Sequence, residues 1–251
     1  RWFVITGLQK RGMVYNLEKK PEKRFSSHGL RPEQAAQRLC RFVAGYAEED
    51  EEHHKHIELK LKHSLRVGEG VRQIAAQEDV SSERSILSEI GGLYHDVGRF
   101  PQYKKYRTFK DSASENHGHL GFKTLRQTDL LSGLGHKESR IILQSVFLHN
   151  RADLPSGLSR ALHTVLGLIR DADKLDIVGV ISGHLLHEEG ENGVLTLGLI
   201  NDCRRYTPKI LEQVRHEALV NYRDMVWVND FKLLLCSWVF ALSYPATRRI
   251  M

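Results

Sequence analysis

The feature that most narrows what this chain can fold into is a helical period whose inward face ends in polar, metal-competent side chains. Ile86, Ile90, Leu93 and Val97 recur at steps of four, three and four, the spacing of one helix face. Within that pattern, in the stretch GGLYHDVGRF, stands the pair His95-Asp96. Comparable stripes begin at Pro32 (Ala35, Leu39, Phe42, Val43, Tyr46) and recur over about 54–77 (Ile57, Leu61, Leu65, Ile74), 115–131, 137–149 and 158–178 (Leu162, Val165, Leu166, Ile169). Pro32 suits a first helical position, and Ser81 or Ser82 can cap the helix that leads to His95. Pro101 is expected to end that helix, leaving YKKYRTFKDSASEN as a polar loop. The acidic run at 48–52 reads as a solvated helix end or linker. Pro208 and Asn229 mark two late helices, with Phe231, Leu234, Leu235 and Trp238 as a packing stripe. EEGENGVLTLGLI is the one strand-like stretch and predicts a small hairpin or an extended connection. The expectation is an all-α bundle: residues 1–30 unassigned, a core domain over 31–190, and a helical C-terminal extension over 191–251 packed on it.

The polar residues on these helices carry the chemistry. His63 lies inside the second helix, His95 and Asp96 at the end of the third, His117 at the start of the fourth and His149 at the end of the fifth. Asp173 follows Ile169 by four residues and so continues an apolar face. A carboxylate directed inward needs a partner, because an unpaired buried charge is very costly. Four imidazoles and two carboxylates suit iron, manganese, nickel or zinc, with magnesium as a further candidate. Six ligands exceed one tetrahedral site, which predicts either two ions or one highly coordinated ion. Asp171 and Asp176 flank Asp173 as candidates for orienting the ligands. Gly91 and Gly92 predict a close approach by another helix or by the metal. His119 is expected to be an exposed neighbour of His117, the HHKH run at 53–56 a solvated helix start, and His184 with His187 a weak alternative metal pair.

The order and surroundings of these residues resemble the HD-domain superfamily of metal-dependent phosphohydrolases. The words HSLRV at His63, GGLYHDVGRF at His95-Asp96 and RDADKLD at Asp173 carry the resemblance, which spans about residues 57–185. His117 and His149 look like the two further histidines of members that hold two metals. The resemblance implies an HD-type helical bundle with His63, His95, Asp96, His117, His149 and Asp173 as ligands of one or two divalent ions. It implies hydrolysis of a phosphate ester of a nucleotide or a related small molecule, with Asp96 bridging the metals or holding the water. Arg99, one turn beyond Asp96, is the expected contact to the phosphate, with Lys104, Lys105 and Arg107 completing a basic rim. The Gly-Tyr-Pro motif of the branch that cleaves cyclic dinucleotides is absent from LHNRADLPSG. The acidic residues of the guanosine-tetraphosphate branch are replaced by Val97, Gly98, Arg99 and Phe100. Some HD-fold proteins with this ligand set are di-iron oxygenases, and a metal-dependent nucleotide sensor is a third reading.

Composition decides less. The chain has 251 residues, 27% of them charged, and a net charge of +6, a balance compatible with a phosphate-bearing substrate, a nucleic acid or an anionic membrane. Its three cysteines, Cys40, Cys203 and Cys236, are too far apart for a thiolate zinc site and fit a reducing cytoplasm. The longest apolar run, LLLCSWVFAL, is shorter than the roughly 20 residues a bilayer requires. Neither a membrane nor a nucleic acid is expected as partner, and self-association is left open.

Overall fold

The stripes of period 3.6 become helices, and the helices stack around the segment that ends in His95. The structure, a computed structural model, describes residues 29–47, 49–186 and 199–251. Its helices are α1 (Pro32–Ala44), α2 (Glu51–Ala75), α3 (Ser82–Tyr94), α4 (Arg99–Tyr106), α5 (His117–Gln127), α6 (His136–Leu148), α7 (Arg160–Leu186), α8 (Pro208–Arg215), α9 (Val228–Ser237) and α10 (Pro245–Ile250). Among the described residues there is no sheet, only an isolated parallel bridge between Ile200 and Trp227. The all-α class is therefore as expected. The predicted hairpin and His187 lie outside the described residues, apart from Leu199 and Ile200, and nothing describes the His184 side chain.

The acidic run opens α2 rather than linking. The Asp50 carboxylate accepts from the His53 N–H at 2.9 Å, and Glu51 and Glu52 occupy the first turn, where negative charge complements the helix dipole. Buried α3 lies between α2 and α7. Its two glycines face opposite neighbours. A Cβ on Gly92 would stand 3.0 Å from Val71 Cγ2 and 3.3 Å from Gly68 Cα of α2. A Cβ on Gly91 would stand 2.7 Å from Ile169 Cδ1 of α7. The expected close approach is thus made by two helices at once. Tyr94, fully buried, directs its hydroxyl to the carbonyls of Ala35 and Leu130 at 3.2 and 3.1 Å, which ties α1 and the α5–α6 connection to the end of α3.

Two boundaries differ from expectation. The helix before His95 ends at Tyr94, and part of the presumed loop is helix α4. Pro101 is the third residue of α4. The first four N–H groups of a helix have no intrahelical acceptor, so proline removes nothing there. The pattern read as ending near 178 continues to Leu186. Its C-terminal half joins a second apolar cluster, with Ile181, Ile210, Val220, Phe231, Leu234 and Leu235 buried and Trp238 against them. The late stripe is therefore core packing. Helix α10, not foreseen, returns Ala246 and Tyr244 to the main core beside α7.

Candidate metal centre

All six predicted ligands converge in the interior, from five helices and their ends. His63 is in the middle of α2 and Asp173 in the middle of α7. His95 caps the C-terminus of α3 and Asp96 follows it in the turn to α4. His149 caps α6 in the same way, and His117 is the first residue of α5, whose N-cap Asn116 accepts from the His119 N–H. His117 reaches the centre because Gly98 lets α5 approach the turn. A Cβ at Gly98 would collide with the His117 carbonyl oxygen and the Gly121 backbone nitrogen.

Each imidazole is held at Nδ1 and presents Nε2 to the centre. His95 Nδ1 lies 2.7 Å from the Gly92 carbonyl oxygen and His149 Nδ1 2.8 Å from that of Val146, three residues back in both cases. A carbonyl only accepts, so both rings carry hydrogen on Nδ1 and turn Nε2 to the centre. His63 Nδ1 meets Asp176 Oδ2 at 2.7 Å, and His117 Nδ1 meets Asp111 Oδ2 at 2.7 Å. Arg66 grips Asp176 from the other side, at 2.5 and 2.9 Å.

The Nε2 atoms form two pairs, His63 with His95 at 3.2 Å and His117 with His149 at 3.1 Å. Asp96 stands between the pairs. Its Oδ2 lies 3.6 Å from His63 Nε2 and 3.9 Å from His95 Nε2, while its Oδ1 lies 3.5 Å from His117 Nε2 and 3.8 Å from His149 Nε2. Asp173 serves the first pair, with Oδ1 at 3.2 Å from His63 and 3.7 Å from His95. Two cations flank Asp96, with Lys60 Nζ 2.9 Å from Oδ2 and Arg99 Nε 3.4 Å from Oδ1. The Asp96 side chain is 4% exposed and that of Asp173 24%, so solvent reaches the centre past α7.

The electrostatics follow from these neighbours. Burial works to raise the Asp96 carboxyl, but Lys60 and Arg99 hold it well below the usual carboxylate range. Burial is likewise overcome at Asp173, by His63 and His95. Burial, reinforced by the Arg99 charge, brings His117 down to about 4, so its ring is neutral at pH 7. At His63, burial and Lys60 are outweighed by Asp173 and Asp176, and its pKa rises. Four imidazole nitrogens and two carboxylates thus converge on one small volume, a donor set that calls for a cation among them. Nitrogen and carboxylate donors in this arrangement fit a divalent metal, and the groups His63–His95–Asp173 and His95–Asp96–His149 can each hold an ion.

Residues 61–177 match the family model of the HD domain. The chain carries an HD domain. The matched segment contains all six predicted ligands, and Lys60 lies just outside it. The resemblance drawn from the sequence is thus confirmed, and HD domains are in general those of metal-dependent phosphohydrolases. No curated protein and no solved structure matches the chain.

The surroundings of the HD centre hold several surprises. Arg99 is at the centre but turned inward, its NH1 donating to Gln102 Oε1 at 2.9 Å, the Phe109 carbonyl at 2.5 Å and Asp111 Oδ1 at 3.0 Å. Lys104, Lys105 and Arg107 are exposed on α4 and its cap. Of the two flanking aspartates, Asp176 holds the His63 ring. Asp171 does not: it faces away and accepts from the N–H groups of Ser243 and Tyr244 and the hydroxyl of Thr247. His119 is exposed as expected, but the HHKH run is not wholly solvated, since His53 Nδ1 pairs with the Tyr103 hydroxyl at 2.8 Å. Lys60 and Asp111 were not singled out in the sequence. Lys60 precedes His63 by three residues, which places both on one helix face. Asp111 lies in an irregular segment, and no period points to it.

Proposed function

We propose that the HD centre binds one or two divalent transition-metal ions and hydrolyses a phosphate ester of a nucleotide or a related small phosphorylated molecule. The observation that carries this reading is Asp96, a buried carboxylate whose two oxygens turn to two separate histidine pairs. His63, His95, Asp96 and Asp173 would hold one ion, and His117, His149 and Asp96 the other. Such ions supply Lewis acidity, lowering the pKa of a water and neutralising charge on phosphoryl oxygens. The chain's own residues prepare the site for this. Asp176, Asp111 and the carbonyls of Gly92 and Val146 fix the rings so that no reorganisation is needed when a ligand arrives. Lys60 and Arg99 keep Asp96 ionised and so available to a cation. The match to the HD domain, in general a domain of metal-dependent phosphohydrolases, is the reason to prefer hydrolysis over the di-iron oxygenase reading.

The test begins with metal analysis of protein purified without added metal, followed by phosphomonoester and phosphodiester panels with oxygen uptake recorded in parallel. Metal-dependent phosphate or nucleotide release is expected, abolished by a chelator and by Asp96→Ala, which should also lose bound metal. Oxygen uptake without release of phosphate or nucleotide would transfer the centre to the oxygenase reading.

A further inference from the structure

The segment between α4 and α5, which the sequence offers only as a basic loop, is organised around one carboxylate. Asp111 lies in a 3₁₀ turn (Asp111–Ala113) and meets His117 Nδ1 with both oxygens, at 3.0 and 2.7 Å. Arg99 NH1 and Gln102 Nε2 of α4 donate to its Oδ1 at 3.0 and 2.9 Å. The Asn150 amide, beyond α6, donates to its Oδ2 at 3.4 Å. Gln102, fully buried, also donates to Ser114 Oγ and to the Glu115 carbonyl, so α4 holds the whole turn in place. Asp111 therefore joins α4, α5 and the end of α6 at the one nitrogen that decides where His117 points.

The two halves of the centre are built unequally. In the half of His63 and His95, the orienting carboxylate Asp176 belongs to α7 and its arginine, Arg66, to α2, and Asp173 adds a second charge. In the half of His117 and His149, the orienting carboxylate comes from the short turn between α4 and α5, and among the described residues Asp96 is the one carboxylate set against the two Nε2 atoms.

We propose that Asp111 is a positioning residue for the His117–His149 half, setting the metal affinity of that half while leaving the other half untouched. The proposal rests on the two-ion reading given above. An acceptor at Nδ1 fixes the ring and its tautomer and makes Nε2 a stronger donor, and removing such a partner typically costs 10–100-fold in metal affinity. The loss should fall on one ion, because His63 and His95 have their own, separate partners.

The test is titration of metal-free protein with Mn²⁺ alone, followed by calorimetry and by the magnetic coupling between two bound ions. The parent should take up two equivalents. Asp111→Ala should keep the first at the parent's affinity and bind the second about 10–100-fold more weakly, with the coupled signal appearing only at high Mn²⁺. Asp111→Asn, whose amide oxygen still accepts from Nδ1–H without the charge, should fall between the two, and it is read alone if Asp111→Ala fails to fold. A second equivalent of parental affinity in Asp111→Ala overturns the proposal. So does an equal loss of both equivalents in a variant that melts like the parent. A parent that binds only one equivalent overturns the two-ion reading itself and this proposal with it.

Discussion

At the scale of single residues, charge placement outside the centre has effects of its own. Glu89 on α3 is mostly buried, and burial, only partly offset by Arg72, pushes its carboxyl up to about 7. In the unfolded chain it reverts to about 4.5. The folded state therefore holds the proton more tightly, and stability falls as pH rises from about 4.5 to about 7, then levels off. Glu89→Gln should flatten that fall and stabilise the protein at pH 8, while leaving it near the parent at pH 4.5. The full shift would correspond to about 3 kcal/mol, and screening at this partly exposed site reduces it to on the order of 1–2 kcal/mol. Urea unfolding at the two pH values measures it, and a parental pH slope in the variant would rule out Glu89 as its source. The same scale separates what the sequence reveals from what it hides. His63, His95, Asp96, His117, His149 and Asp173 were legible because each continues or terminates an apolar helix face, and a polar group in that position needs a reason. Asp111 was not, because its contacts are made across an irregular turn. Arg99 stands beside Asp96, as its place one turn further on requires, but a spacing says nothing about which acceptors engage its guanidinium.

At the scale of elements, backbone approach decides which helices can carry ligands. Gly98 is where α5 meets the turn after Asp96, and the obstruction to a side chain is backbone, which cannot swing aside. Gly98→Ala should cost about 3 kcal/mol, the upper end of overpacking penalties, and lower Tm by roughly 6–12 °C in a chain of this size. It should also weaken metal binding at His117 more than at His63. Gly179, in the exposed middle of α7, provides the contrast, since a Cβ there meets nothing within 4 Å. Gly179→Ala should stabilise by about 1 kcal/mol, because alanine is the better helix former. Differential scanning calorimetry of the two variants checks the opposite signs. Most helices were legible from period alone, since a long apolar stripe admits few alternatives. Helix α4 was not, because it is short, largely polar and carries Pro101, and a proline in a first turn leaves the same sequence signature as a proline that ends a helix. Helix α10 has only six residues and no stripe to read.

At the scale of the whole molecule, the far end of the chain is fastened to the helix that carries Asp173. The fully buried Asp171 carboxylate gathers the Ser243, Tyr244 and Thr247 donors, and Glu78 accepts from the Ala246 N–H at 2.6 Å. Asp171→Ala would strand several of these donors, at about 1–3 kcal/mol for each buried group left unpaired. It should speed tryptic cleavage at Arg248 and Arg249, while metal content per folded molecule stays parental, because Asp171 faces away from the centre. Limited proteolysis with parallel metal analysis would show it, and loss of metal in the folded variant would contradict the orientation described. No helix among the described residues is long and apolar enough to cross a membrane.

The centre also draws its donors from positions as far apart as His63 and Asp173, on five different helices or their ends. An unfolded chain scatters these groups, so an ion finds its site only in the native state. A metal bound there as proposed would act by mass action as a thermodynamic partner of folding, adding stability in proportion to the logarithm of its concentration, about 4 kcal/mol at a thousand times Kd. On the proposed reading, a cell that runs short of the ion would lose folded protein too, because the depleted form opens more often and is cleared sooner.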